Sequence, residues 1–368
     1  MPARPNPQFA EVSPVAHGAL DHGELARLGI EPEDVTDFSS SINPYGPAPV
    51  VEEAARAANI GRYPDKECRE LGLALSGRLE VDASSISVGN GSAELIDHLA
   101  RIYLDRGDAT LIVGPTFGEY ERSSRLCGAR VVNHNRRVSG SEVDLNFHSL
   151  LEAIERERPR LIWFCNPNNP TGDYLNRDSI ERLLEATARV GGLLVLDEAY
   201  RDLMLEGEPE DFTDLISGAL VLLRSMTKSH ALAGLRLGYV LAAPDTIRAL
   251  SIVRPPWNVG APAQAAGIAA LSAPALNHLE DSRRSMVHTA GRLRRELLRL
   301  GLEVPPGRAN YLLVKVGDAA RLRRKLLSRG FQVRDCASFG LPEYIRVAVR
   351  LPEECRRLVS EIGALLGD

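Results

Sequence analysis

From Ile86 onward the chain alternates short, β-branched apolar runs with amphipathic stretches of helical period, and this alternation restricts its fold more than any other feature. ISV leads to SAELIDHLARIYL, ATLIVG to FGEYERSSRL, RVVNHN to LNFHSLLEAIERE, and RLIWFCN to NRDSIERLLEATARV. GLLVLDEAY, ALVLLRSM and RLGYVLAA extend the series to about seven strands. Several are apolar throughout, as strands covered on both faces must be. The expected class is therefore α/β: a mostly parallel seven-stranded sheet between helices, with a smaller α+β unit attached.

The punctuation changes near Pro255, Pro256, Pro262 and Pro274, where a long basic helical stretch begins, NHLEDSRRSMVHTAGRLRRELLRL. Its arginines stand at helical spacing from Glu280, Asp281 and Glu296 and read as a solvated face. Beyond it, NYLLVKV, a helix near Asp318 to Ser328, FQVRDC and YIRVAVR form the small unit. The expected division is residues 1–46 as an N-terminal arm shared with the small domain, 47–256 as the large domain, and 257–368 as the small C-terminal domain.

Charge and cysteine usage narrow the function. Lys+Arg total 44 against Asp+Glu 49, a net charge of -5, which leaves no electrostatic footprint for nucleic acid. The five cysteines are scattered without a C-x-x-C pair, which argues against a disulfide framework or a metal site. The opening MPARPNPQFAEVSPVA lacks a basic start followed by an apolar core, and no run approaches the roughly 18 apolar residues of a membrane span. A cytoplasmic protein is expected, with no nucleic-acid or membrane partner.

The chemistry concentrates in SMTKSHALAGLRLG. Lys228 follows a strand, an arrangement that suits a buried amine able to form a Schiff base. Ser225 and Thr227 supply hydroxyl donors to a phosphate, and Arg236 a charged fork. Together they describe a seat for the aldehyde and phosphate of pyridoxal 5'-phosphate. Asp197 ends the strand of GLLVLDEAY, at the sheet edge where α/β ligands sit, and suits a protonated pyridine nitrogen. Tyr200 and Asn169, the latter in NPNNPTG, suit the ring's phenolic oxygen. Ser92 and Ala93, in GNGSAE, open a helix whose N-terminal N–H groups favour phosphate. Glu94 stands where a dinucleotide-binding loop needs its third glycine, and no Walker lysine follows. Phe117 in PTF suits stacking on the ring. Taken singly, each of these is also a loop lysine, a turn, a cap or a core aromatic; the ordered set favours the cofactor.

GNGSAE, PTF, NPNNPTG, DEAY, SMTKSHALAGLRLGY and YIRVAVR together resemble the fold-type I pyridoxal-phosphate enzymes of the class I/II aminotransferase superfamily, over nearly the whole chain. The resemblance implies that Lys228 anchors the cofactor aldehyde, Asp197 holds the ring nitrogen, and Asn169 and Tyr200 hold the phenolic oxygen. It also implies a homodimer in which Tyr63, in Arg62-Tyr63-Pro64, reaches the partner's cofactor phosphate. Arg346 matches the arginine that binds a substrate carboxylate, beside Asn169. Arg334, His17 and Gly18 match positions near a substrate phosphate, although an N-terminal histidine is by itself more often a free surface residue. DFSSSINP, PPWNV, PGRANYLL and VRDCASF look like the L-threonine O-3-phosphate decarboxylases of cobalamin biosynthesis. The expected reaction is therefore decarboxylation of that phosphorylated amino acid to (R)-1-amino-2-propanol O-2-phosphate. The alternative is transfer of an amino group between histidinol phosphate and 2-oxoglutarate, since Lys228, Asp197 and Tyr200 serve either course. Two departures bear on the substrate. Ala19 replaces the second glycine of a His-Gly-Gly start, and Ser41 replaces an asparagine, which shortens the side chain and leaves L-serine O-phosphate as another candidate.

Overall fold

The computed structural model describes residues 3, 9 and 12–367. Seven strands build the main sheet: β1 Ile86–Gly89, β2 Ala109–Gly114, β3 Arg130–Asn135, β4 Leu161–Cys165, β5 Leu193–Asp197, β6 Leu220–Ser225 and β7 Gly238–Leu241. They lie in the order β1-β7-β6-β5-β4-β2-β3. Strand β7 runs antiparallel to both neighbours and the other pairings are parallel. This is the expected fold-type I architecture.

Alternation within the strands explains why the sheet is buried on both faces. Leu194, Leu196, Leu220 and Leu222 enter one core with Ile162 and Phe164. Leu193, Val195, Val221 and Leu223 enter another with Leu161, Trp163 and the Leu95, Ile96 and Leu99 stripe of helix Ser92–Tyr103. Strands β1, β2, β4, β5 and β6 end at one edge, and β7 begins there, because Gly238 is in register with both Gly89 and Ser225. Every motif singled out in the main domain therefore emerges at that edge.

A second sheet holds β8 Tyr311–Lys315, β9 Arg334–Asp335 and β10 Tyr344–Ala348 in the antiparallel order β8-β10-β9. Leu312, Val314, Ile345 and Val347 pack under helices Ala319–Leu327 and Pro352–Gly367. The N-terminal segment joins this unit: Thr36–Asp37 pairs in parallel with Phe331–Gln332, the Ala348 amide donates to the Phe38 carbonyl at 2.9 Å, and Phe38 is buried in the same core.

The division expected at 257 falls ahead of helix Ala261–Ala270, whose Ala263, Ala266 and Ala270 pack in the main core beside Leu71 and Leu237. Helix Ala273–Arg299 then carries Ala275 in the main core and Leu293 and Leu297 in the small one. Its arginines pair with acids along an outer face, Arg283 with Glu280 and Glu208, Arg292 with Glu296. Among the described residues no helix is long and apolar enough to cross a membrane.

Candidate active site

Asp197 ends β5 as a 3 % exposed carboxylate. Its Oδ2 accepts a 2.6 Å hydrogen bond from the Tyr120 hydroxyl and its Oδ1 one of 2.9 Å from the Ala199 amide. Burial pushes its pKa up to about 6, and those two donors oppose the rise. Lys228 lies one short turn beyond β6, in helix Met226–Ser229. Burial, with the charges of Arg346 and Arg236, lowers its pKa to about 8, and Asp197 pulls the other way. An amine so placed spends an appreciable fraction of its time neutral near pH 7, which is what attack on an aldehyde requires.

The phosphate end is a cradle of backbone and hydroxyl groups. Gly91, at φ 79°, precedes helix Ser92–Tyr103, and a Cβ there would fall 2.8 Å from Nη2 of Arg236. A Cβ on Gly238 would fall 2.9 Å from the Ser92 amide nitrogen, so only glycines let these backbones close on the helix N-terminus. Ser225 Oγ and Thr227 Oγ1 sit 2.7 Å apart beside it, both buried. Glu94 takes the role of a cap, accepting from the Asn90 amide at 2.7 Å and from Asn258 Nδ2 at 2.6 Å. Helix N-terminus, paired hydroxyls, guanidinium, buried amine and buried carboxylate form a donor set that fits pyridoxal phosphate from phosphate to ring nitrogen.

Arg346 faces this bed from β10. Its neighbours Ile345 and Val347 point into the small core, so strand periodicity turns the guanidinium to the opposite face. Nη1 donates to Asn169 Oδ1, Nη2 donates to the Ser39 carbonyl at 2.6 Å, and Nε has no partner. The guanidinium lies 5.0 Å over the Tyr311 ring, whose hydroxyl donates to the Asn168 carbonyl at 2.6 Å. Tyr200 meets Tyr311 edge to face at 5.1 Å; burial pushes its phenol up to about 12 against the pull of Arg346. Arg334 is in register with Arg346 on the adjoining strand, and burial together with that neighbouring charge lowers its pKa. Nη2 of Arg334 donates to the Ala16 carbonyl at 2.8 Å and to Ser338 Oγ at 2.6 Å.

The N-terminal arm closes the cluster. His17 Nε2 lies 3.0 Å from Glu119 Oε1, and its ring is 5.7 Å from that of Phe117. Gly18 packs on Ser39, whose Oγ accepts from the Ala19 amide at 2.8 Å. Ser41 is buried with no hydrogen-bond partner for its Oγ. The structure thus brings His17, Gly18, Asn169, Tyr200, Arg334 and Arg346 together with Lys228 and Asp197. It sets Tyr63 apart: this ring is 80 % exposed and stacks on Trp257 at 4.5 Å.

Five contributors were missed by the sequence reading. Tyr120 is buried against Asp197, although its only local sign is a place three residues after Phe117. Glu119 holds His17 and Arg122, and hydrogen bonds from both keep its carboxyl below the usual range. Ser39 and Tyr311 carry no chemical motif and acquire their roles only through Arg346. Asn43 also binds the lysine segment, its amide donating to the Lys228 carbonyl at 2.9 Å and its Nδ2 to that of Ser229 at 3.2 Å.

Comparison with known proteins corrects the expected reaction. Histidinol-phosphate aminotransferase 1 of Thiobacillus denitrificans is 37 % identical over 350 residues, covering 93 % of this chain and 88 % of that protein. Histidinol-phosphate aminotransferase 2 of Pseudomonas aeruginosa is 35 % identical, covering 93 % and 92 %. Among solved structures, the histidinol-phosphate aminotransferase of Sinorhizobium meliloti in complex with pyridoxal-5'-phosphate superposes with a TM-score of 0.85 at 24 % identity, over 100 % of this chain and 99 % of that one. Thermus thermophilus aspartate aminotransferase with maleate gives 0.83 at 22 %, over 98 % and 99 %. These full-length relatives are aminotransferases, so the decarboxylase reading, with its place in cobalamin biosynthesis, is overturned. The segments that suggested it shape backbone that either activity needs. In DFSSSINP, Asp37 caps Ser39 and Asn43 clasps the lysine turn; in PGRANYLL, Gly307 abuts Gly172 and the Arg308 amide donates to its carbonyl at 2.7 Å. The family described as aminotransferase class I and II matches residues 33–362, and the chain belongs to it.

Proposed function

We propose that this protein is a pyridoxal-phosphate aminotransferase that moves the amino group of histidinol phosphate to 2-oxoglutarate. The observation that carries the substrate class is the pair Arg334 and Arg346, two guanidinium groups in register on adjoining strands at the mouth of the cofactor bed. Like charges placed directly opposite repel, so the site gains when an anion lies between them. A phosphate ester and a dicarboxylate each meet that requirement in turn, and the unpartnered Nε of Arg346 leaves a donor for them. The relatives 33–37 % identical over nine-tenths of the chain, named for histidinol phosphate, support the same choice.

When bound, the cofactor supplies an electron sink for the bonds at the substrate's α-carbon. The chain's own groups set it up. Asp197 holds the ring nitrogen in its protonated form. Asn169 and Tyr200 hold the phenolic oxygen. Ser92, Ala93, Ser225, Thr227 and Arg236 hold the phosphate, and Phe117 covers the ring. Lys228 would anchor the aldehyde, and its amine, when free and neutral, would be the base that moves the α-proton. Arg346, Arg334, Ser41, His17 and Gly18 orient the substrate and exclude water from it. The protein acts as a homodimer in the cytoplasm, with Tyr63 reaching the partner's phosphate site.

The test is to mix the yellow holoenzyme with L-histidinol phosphate and 2-oxoglutarate and follow products by mass spectrometry. Glutamate and the ketone corresponding to histidinol phosphate are expected in equal amounts; no glutamate, with the cofactor fully bound, removes the proposal.

A further inference from the structure

Tyr120 is a fully buried phenol against the cofactor bed to which the reaction assigns no part. It opens helix Glu119–Leu126 after β2, yet its hydroxyl reaches β5, two strands away, by lying flat over the intervening β4. Its ring stacks on Trp163 of β4 at 5.1 Å and 7°, and Trp163 Nε1 in turn donates to Ser124 Oγ on the tyrosine's own helix at 3.2 Å. Phe117 meets the ring edge to face at 5.7 Å. Tyr120 is 0 % exposed, and a phenol so buried stays protonated, so it acts toward the carboxylate as a donor only.

We infer that Tyr120 is a positioning residue for the cofactor: its hydroxyl, held by the stack on Trp163, fixes Oδ2 of Asp197 and sustains the charged form that pairs with the pyridine nitrogen. A hydrogen bond to a carboxylate favours its ionised state, whereas burial favours the neutral one. The other groups facing Asp197 are Lys228 from beyond β6, Glu198 next along the chain, Tyr200, and Cys165, its register partner on β4. Glu198 and burial push toward the neutral acid, and Lys228 pushes away from it. Among the groups that favour the ionised form the Tyr120 hydroxyl acts most strongly, ahead of the Ala199 amide and of Lys228, and it can be removed without touching the lysine that holds the cofactor. The inference rests on cofactor binding alone and holds whichever amino donor the enzyme uses.

Tyr120→Phe keeps the ring and its stack and deletes the donor. Affinity for pyridoxal phosphate is measured from pH 5.5 to 8.5 in both proteins, so that titration of the cofactor itself cancels. In the variant the loss of affinity on acidification sets in about one pH unit higher, giving roughly threefold weaker binding at pH 6.5, about eightfold weaker at pH 5.5 and near-equal binding at pH 8.5. In an Asp197→Asn background the same change leaves the pH dependence unaltered. A uniform loss of affinity at every pH, or no loss, overturns the inference, because a purely structural tyrosine produces one or the other. If Tyr120→Phe does not fold, 3-fluorotyrosine at position 120, a stronger donor, moves the acid limb to lower pH; an unmoved limb overturns the inference as well.

Discussion

Gly18 lies so close to Ser39 that a Cβ at position 18 would fall 2.4 Å from the Ser39 carbonyl oxygen, the atom that accepts from Nη2 of Arg346. The obstacle is backbone, which cannot swing aside as a flexible side chain would. Gly18→Ala therefore displaces the acceptor that orients Arg346. The expected result is a KM for the phosphorylated substrate raised about tenfold, the scale of a small overpacking cost, with cofactor affinity unchanged. Steady-state kinetics beside a spectrophotometric cofactor titration checks it; an unchanged KM contradicts it.

Arg346 spends two nitrogens on Asn169 and Ser39 and keeps the guanidinium plane over Tyr311. A lysine reproduces the charge but neither the fork nor the stack. Arg346→Lys is expected to lower kcat/KM by about 30-fold, equivalent to about 2 kcal/mol of charge-assisted hydrogen bonding. A fall smaller than threefold in paired kinetic assays shows that the fork is not used.

The pKa of Lys228, near 8 in the protein without cofactor, sets a pH dependence for capture of the aldehyde. The amine attacks only when neutral, and its pKa is depressed, so the neutral fraction grows about tenfold per unit as pH rises toward 8 and levels above it. Stopped-flow recording of colour as apoprotein meets pyridoxal phosphate should show that break near pH 8. A rate still climbing toward pH 10 would mean that burial does not depress this lysine.

Ser41 Oγ is buried without a partner, so deleting it removes an unsatisfied hydroxyl. Ser41→Ala is expected to leave stability within about 0.5 kcal/mol of the parent while altering KM, as the proposed substrate role of Ser41 requires. Urea unfolding together with kinetics separates the two; a marked loss of stability identifies a structural partner instead.

Glu198 and Arg224, both nearly inaccessible, form a 2.7 Å ion pair that links the residue after Asp197 to the residue before Ser225. Removing Glu198 leaves Arg224 to the longer pair with Asp211, a half-exposed acid. Glu198→Gln should cost about 3 kcal/mol by denaturant unfolding, and a cost below about 1 kcal/mol would show the arginine finding another acid, with Asp211 the nearest at 3.4 Å.

What the chain announces locally was legible before folding. Strand and helix alternate in the pattern of apolar residues, so all seven strands of the main sheet and the order of GNGSAE, NPNNPTG, DEAY and SMTKS along the chain are legible in short-range periodicity and turn chemistry. The flanks misled because DFSSSINP and PGRANYLL take their character from the backbone they brace, which carries no record of the bond the enzyme breaks.

Sequence by itself determined the class of fold and pointed to the lysine, the carboxylate and each of the two loops of the phosphate cradle, since each of these is marked within one strand–loop–helix unit, while the meeting of the two loops is tertiary. Tertiary structure decided the rest: Tyr120 meets Asp197 across 77 positions, Arg346 meets Asn169 across 177 and Ser39 across 307. Such contacts are chosen by how two cores pack and by the pairing of Thr36–Asp37 with Phe331–Gln332, which carries the N-terminal arm onto the small sheet. A residue such as Ser39, whose carbonyl is its contribution, has no side-chain signature to read; only the closed fold gives that oxygen a partner.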